Sequence, residues 1–283
     1  MFLGSLRSPS TILGSWTFDP VTAALLVGSL VWYVWAAGRF RLRTGTPYRG
    51  TKPFVLGLGT VTLALVSPVH RYSGLLLSVH MGQHILLTLV AAPLLLLGAP
   101  VTLALRTHTS AEARRWFLRV LHSRVVRVLT KPVVSWGIFA AVLWGTHFTQ
   151  VYELSLEHEW IHSLEHAAYL GSALLFWSPV IARDPSPVRI SHPARILYLF
   201  LAMPQMTFLG LAIYGSDQVL YRSYLSGAAA LGISAIGDQH LAGALMWATG
   251  MFLIVPALGF VLMDWLDREE REAKRQEARA GSA

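Results

Sequence analysis

Long apolar runs alternate along the whole chain with short clusters of charge, proline and glycine. About 20 apolar residues at 1.5 Å rise cross a hydrocarbon core, so runs of this length predict membrane-spanning helices. Seven are expected. The first covers roughly 20–38, opened by Asp19 and Pro20 and anchored by Trp32, Tyr33 and Trp35. The next three cover 53–67, 72–98 with a kink near Pro93, and 132–149. A fifth opens in the histidine-rich stretch 157–166 and runs to 181, and the last two cover 196–214 and 238–265. The expectation is an all-α, polytopic membrane protein with an outer segment 1–19, a seven-helix transmembrane domain 20–265 and a charged tail 266–283 that frays from helix into disorder. Arg7 is followed by Ser, Thr, Gly and Pro rather than an apolar core, so no secretory leader is expected and Met1 is read as the mature start.

Composition agrees with this pattern: 54% hydrophobic and 13% charged residues, with a mean hydropathy of +0.50, belong to an integral membrane protein. A pI near 10.1 would suggest nucleic acid in a soluble chain, but here the basic residues sit in short connections between spans, so nucleic-acid binding is not expected. Of 23 Lys and Arg, all but Arg7, Arg71 and Arg222 fall on one side of a seven-span topology. The positive-inside rule therefore puts the N-terminus outside and the C-terminus in the cytoplasm. Within the basic connector 99–131, Thr109-x-x-Glu112 reads as a capping box. Phe117, Val120, Leu121, Val125 and Val128 share one face there, as in a helix lying on an anionic leaflet or packed on the bundle.

In that orientation four helices carry seven of the eleven histidines to the outer third of the bilayer: His80 and His84, His147, then His158, His162 and His166, and His240. Four-residue spacing stacks His158, His162 and His166 on one helical stripe, with neighbours ~6 Å apart and able to share one ion. His108, His122 and His192 lie among arginines on the other side, and His70 belongs to either group. Ionisable side chains inside spans cost a few kcal/mol each on insertion scales, so their convergence at one depth needs a reason. With no cysteine, a metal site must use imidazole, thioether or oxygen donors. Met81 and Met246 offer sulfur, and Glu165 or Asp238 can hold an imidazole tautomer.

Three other readings compete. His158-Glu159-Trp160-Ile161-His162 matches the H-E-x-x-H zinc-hydrolase helix but lacks the water-accessible cleft and third ligand of an ordinary metalloprotease. Two histidines on facing helices could ligate a haem for electron transfer. A scaffold would use the same histidines for interhelical hydrogen bonds.

Taken together, His80-Met81-x-Gln83-His84, the run Pro93 to Pro100, His162-x-x-Glu165-His166 with Phe176-Trp177, and Asp238-Gln239 with Gly243-x-x-Met246-Trp247 resemble the CtaG-type assembly factors of caa(3)-type bacterial cytochrome c oxidases. The likeness extends over roughly 16–265. It implies a non-enzymatic, seven-helix bacterial plasma-membrane protein that helps to mature the oxidase, with copper delivery to the oxidase's catalytic centre as the corresponding chemistry. On these grounds His80, His84, His162, His166 and Asp238 carry over, whereas His158 and His240 fall outside the pattern.

Overall fold

The computed structural model describes residues 14–107, 110–148, 154–156 and 158–280, and all regular structure among them is helical. Helix α1 (Pro20–Thr44) begins where Asp19 accepts from Thr22 N at 2.7 Å and ends at Gly45, whose φ of 72° needs a residue without a Cβ. Helix α2 (Thr51–Leu65) is followed by a short α3 (Pro68–Ser73), capped by the Ser67 hydroxyl. The chain then reverses into α4 (Leu77–Ile85), which continues through a π-helical turn, Leu86–Ala91, into α5 (Ala92–Leu97) and α6 (Pro100–Thr107).

The π turn has a visible cause. Ala92 N bonds to Leu87 O, five residues back, and in the same register Thr88 O would await the N–H of residue 93. That residue is Pro93, which has none, and the Trp177 indole donates to Thr88 O at 2.9 Å instead. The expected distortion near Pro93 is thus a widened turn before the proline, sealed from another helix.

After α7 (Ala111–Leu121) and α8 (Arg124–Leu129), which bury no residue, come α9 (Pro132–Phe148), α10 (Glu159–Ile181), α11 (His192–Tyr214), α12 (Tyr224–Leu231) and α13 (Ala235–Ala280). Four stretches are long and apolar enough to cross a membrane: Pro20–Thr44, Leu77–Thr107, His192–Tyr214 and Ala235–Glu277. Thr51–Leu65 and Pro132–Phe148 are shorter apolar helices. Large apolar side chains such as Phe208, Phe252 and Phe260 stay exposed on α11 and α13, as helices facing lipid require.

Two cores flank the α4 to α5 stretch. One joins it to α9, α10, α11 and α13, and the other to α1, α2 and α6. Helices α11 and α13 meet most closely at Gly210 and Gly243, where a Cβ on either would lie within 2.7 Å of the other's carbonyl oxygen. In the second core Tyr33 stacks on Phe54 and donates to Gly98 O at 2.6 Å, closing the break between α5 and α6.

Several sequence expectations are corrected. Helix α4 starts at Leu77 rather than Tyr72, because 68–73 closes as a helix of its own. His158 caps α10 in extended conformation (φ −130°, ψ 114°) instead of extending its stripe. Helix α13 runs past the expected end of the last span near Trp265 as one helix to Ala280, accompanied by i,i+4 pairs such as Arg268–Asp264 at 3.1 Å and Lys274–Glu270 at 2.6 Å; the expected disordered end, 281–283, lies outside the described residues. The loop expected over 215–237 contains α12. Ser110 accepts from Ala113 N to cap α7, while the proposed Thr109 cap lies outside the described residues, as do His108, Glu153, Glu157 and Arg7.

Candidate metal centre

Three elements build the site. Ser67 and Pro68 start α3, which carries His70; the reversal at 74–76 then turns the chain back so that α4 presents His80 and His84. Asp238, from the first turn of α13, caps α4: its Oδ2 accepts from Leu77 N at 2.6 Å and its Oδ1 from the Ser78 hydroxyl. An aspartate at a helix N-terminus satisfies donors that have no intrahelical partner, so this carboxylate orients the histidine helix. Gly227 lets α12 pack onto the reversal, where a Cβ would lie 2.5 Å from Leu75 O. That approach brings the Tyr224 hydroxyl within 3.1 Å of His80 Nδ1.

Facing these, α10 supplies His162, Glu165 and His166 from one face. Ring centroids are 4.3 Å apart for His80 and His84, 4.2 Å for His162 and His166, and 5.4 Å for His80 and His162 across the helices. His70 joins from α3, 5.4 Å from His162 and 5.8 Å from His166. Glu165 sits between the α4 pair, with Oε2 3.9 Å from His80 Nε2 and Oε1 4.0 Å from His84 Nε2.

Two triads bring one donor atom from each member within 4.8 Å of the others: His70, His162 and His166, and His80, His162 and Glu165. His162 belongs to both. Bonds of about 2.0–2.1 Å in a tetrahedral shell put neighbouring donors roughly 3.4 Å apart, so the triads stand open and small side-chain rotations would close them. The donor chemistry fits a cation. Both ring nitrogens of His84, and Nε2 of His162 and His166, are buried without a hydrogen-bond partner among the described residues. Such groups cost about 1–3 kcal/mol each when left unpaired, and a metal ion would engage several at once.

The surrounding contacts suit ligation too. When His80 Nδ1–H donates to the Tyr224 oxygen, the Nε2 lone pair is left toward Glu165. Gln83 donates to Ala64 O at 2.8 Å and lies 3.2 Å from His70 Nδ1, fixing that ring from behind.

The remaining expected residues are elsewhere. His158 is exposed at the head of α10, so H-E-x-x-H forms no inward-facing pair. His240 lies 3.4 Å from Ser216 O and packs on Tyr214. His147 meets Met81 at 3.4 Å, and Met246 is buried near both. Sequence spacing left His70 undecided and passed over Tyr224; the position of Gln83 inside the His80 motif was the available hint for His70, and no spacing signal marked Tyr224.

No solved structure matches the chain. Uncharacterized proteins of Mycobacterium bovis and Mycobacterium tuberculosis are each 29% identical over 294 residues, an alignment covering 100% of this chain and 44% of the relative. One of Mycobacterium leprae is 28% identical over 294 residues and is covered to 45%. The chain therefore spans less than half the length of these curated relatives. The profile of the cytochrome c oxidase caa3 assembly factor family matches residues 31–268, a range that includes His70, the α4 and α10 donors, and Asp238. With four separately placed motifs and the continuous match agreeing, the chain belongs to the caa3-type cytochrome c oxidase assembly factor family.

Proposed function

We propose that this protein is a seven-span, non-enzymatic factor of the bacterial plasma membrane that holds a copper ion transiently and passes it to a cytochrome c oxidase subunit during assembly. Family membership supports the assembly role. The observation that carries the metal reading is the convergence of five imidazoles and Glu165 from three elements, with buried ring nitrogens lacking partners among the described residues. Copper is cargo in this account: an open, histidine-rich shell binds it and an adaptable shell lets it leave. The closely packed imidazoles leave no room among themselves for a porphyrin, which argues against haem ligation in the cluster.

The topology proposal adds α2, α9 and α10 to the four long spans and puts the histidine end outside, since the basic residues of 39–52, 106–131 and 183–195 lie in the other set of connections. A chain without cysteine suits single-cysteine labelling. Ser234→Cys should react from outside and Ser123→Cys only after permeabilisation; the reverse result overturns the orientation.

Metal analysis of the purified protein beside the His80→Ala/His84→Ala variant tests the copper reading. Bound copper in the parent and its loss in the variant, together with loss of oxidase maturation, are expected. A parent that takes up neither Cu(I) nor Cu(II), with a variant that still supports maturation, overturns it.

A further inference from the structure

Residues 106–131, which end α6 and join it to α9, carry seven basic side chains and a single acid, Glu112. The two helices of this connector, α7 and α8, bury no residue. That separates the two expectations for the segment, because a helix packed on the bundle covers its apolar face. Phe117 and Leu121 are only partly covered, Leu121 beside a cavity that it shares with Leu96 and Ile181. Trp116, Val120, Val125 and Val128 stay exposed, Trp116 at 59% and Val125 at 66%. Trp116 and Val120, four residues apart, share a face of α7, and Val125 and Val128, three apart, share one of α8. Arg115, Arg119 and His122 line an open recess on α7. Exposed apolar side chains flanked by arginines, whose stems cover apolar surface while their heads stay in water, suit the boundary between headgroups and acyl chains.

Short tethers fix where this pair can lie. Four residue steps separate Thr107, the last residue of α6, from Ala111, the first of α7, and three separate Leu129 from Pro132. At no more than about 3.6 Å per step, both ends of the pair stay within roughly 15 Å of the ends of two apolar helices. That distance is comparable to the headgroup layer together with the ~8–10 Å over which its charge is felt.

Charge selects the occupant. Arg114, Arg115, Arg119, Arg124 and Arg127 have no ion pair among the described residues. A second copy of this chain would set like charge against like on this face. The tail supplies the contrast: 267–283 holds five acids and five bases, with i,i+4 pairs such as Lys274–Glu270. Its net charge is zero, so an anionic surface does not draw it in.

We infer that α7 and α8 form a docking surface for anionic phospholipid headgroups, with their exposed apolar side chains at the acyl boundary and Arg115 and Arg119 holding phosphates beside them. The inference is independent of the copper reading.

Because the chain has no cysteine, a spin label on Val125→Cys reports depth in nanodiscs of the full chain, with a label on Ala273→Cys in the tail as reference. One set of discs is phosphatidylcholine, the other equal parts of phosphatidylcholine and phosphatidylglycerol. Oxygen, which concentrates in lipid, and a water-soluble nickel chelate then compete to relax the label. In the phosphatidylglycerol discs oxygen should dominate at Val125, and in pure phosphatidylcholine the balance should move towards nickel. The Ala273 label should favour nickel in both. In the anionic discs Arg115→Gln/Arg119→Gln should lower the ratio of seated to free label roughly 30-fold, the weight of two charges at such a surface. High salt should act in the same direction. A Val125 label in water with both lipids overturns the inference, and so does one seated equally in both and indifferent to salt and to the arginine changes. Protection from both reagents means a covering protein surface and overturns it as well.

Discussion

Asp238 and Glu165 are equally buried, each 4% exposed, yet they meet opposite surroundings. Asp238 is surrounded by donors: Leu77 N at 2.6 Å, Ser78 N at 3.4 Å and the Ser78 hydroxyl. Glu165 has one side-chain donor beside it, the Ser155 hydroxyl, and otherwise faces two imidazole nitrogens at 3.9 and 4.0 Å, beyond hydrogen-bond reach. The first arrangement completes a helix terminus. The second sets a buried carboxyl group among imidazoles, an arrangement that a bound cation would complete. Asp184, at the α5–α6 junction, repeats the first type: it accepts from Thr102 N and Thr102 Oγ1, each at 2.7 Å, although burial still pushes its carboxyl above the ordinary range. Burial alone therefore does not distinguish these carboxyl groups; what their oxygens face does.

That contrast can be broken in several ways. The largest effect is expected for His162→Ala, because His162 belongs to both donor triads. Copper affinity should fall by more than about 100-fold, beyond the cost of losing an outer partner, while the melting temperature changes little. Equilibrium dialysis and thermal melting read the two quantities, and unchanged affinity would remove the histidine centre from the account.

Glu165→Gln and Asp238→Ala then oppose the two carboxylates directly. Glu165→Gln should weaken metal binding by roughly 10–100-fold without lowering the melting temperature. Asp238→Ala should cost about 1–3 kcal/mol of stability, because it strips buried donors at the head of α4. Equal loss of stability in both variants would erase the distinction. Thr102→Ala removes one donor to Asp184 and should cost about 1 kcal/mol, with copper binding intact. Smallest of all, His158→Ala at its exposed position should leave stability within about 0.5 kcal/mol and metal binding unchanged.

Much of the helical architecture is legible from apolar run length, and the pairs His80/His84 and His162/His166 from four-residue spacing, because both are local properties of a helix. The apolar runs and their breaks, with Pro20 and Pro93 as punctuation, determined an all-helical chain with histidines concentrated near helix starts. Elements that depend on a turn or a cap were not legible in the same way. The closing of 68–73 into its own helix is what sends His70 toward α10, and no periodicity in the sequence announces that reversal. Likewise Asp238 stands 161 residues from Leu77, a contact that no local pattern encodes.

By itself, then, the sequence determined which residues share a helical face. Only the tertiary structure decided which faces meet: that α4 and α10 turn their imidazoles toward each other, that Asp238 is occupied by backbone and Glu165 is not, and that three methionines from distant segments enclose one cavity with His147. The physical reason is range. Side-chain periodicity follows from the geometry of one helix, whereas donor convergence depends on packing between helices, where positions such as Gly227, Gly210 and Gly243 set the distance of approach.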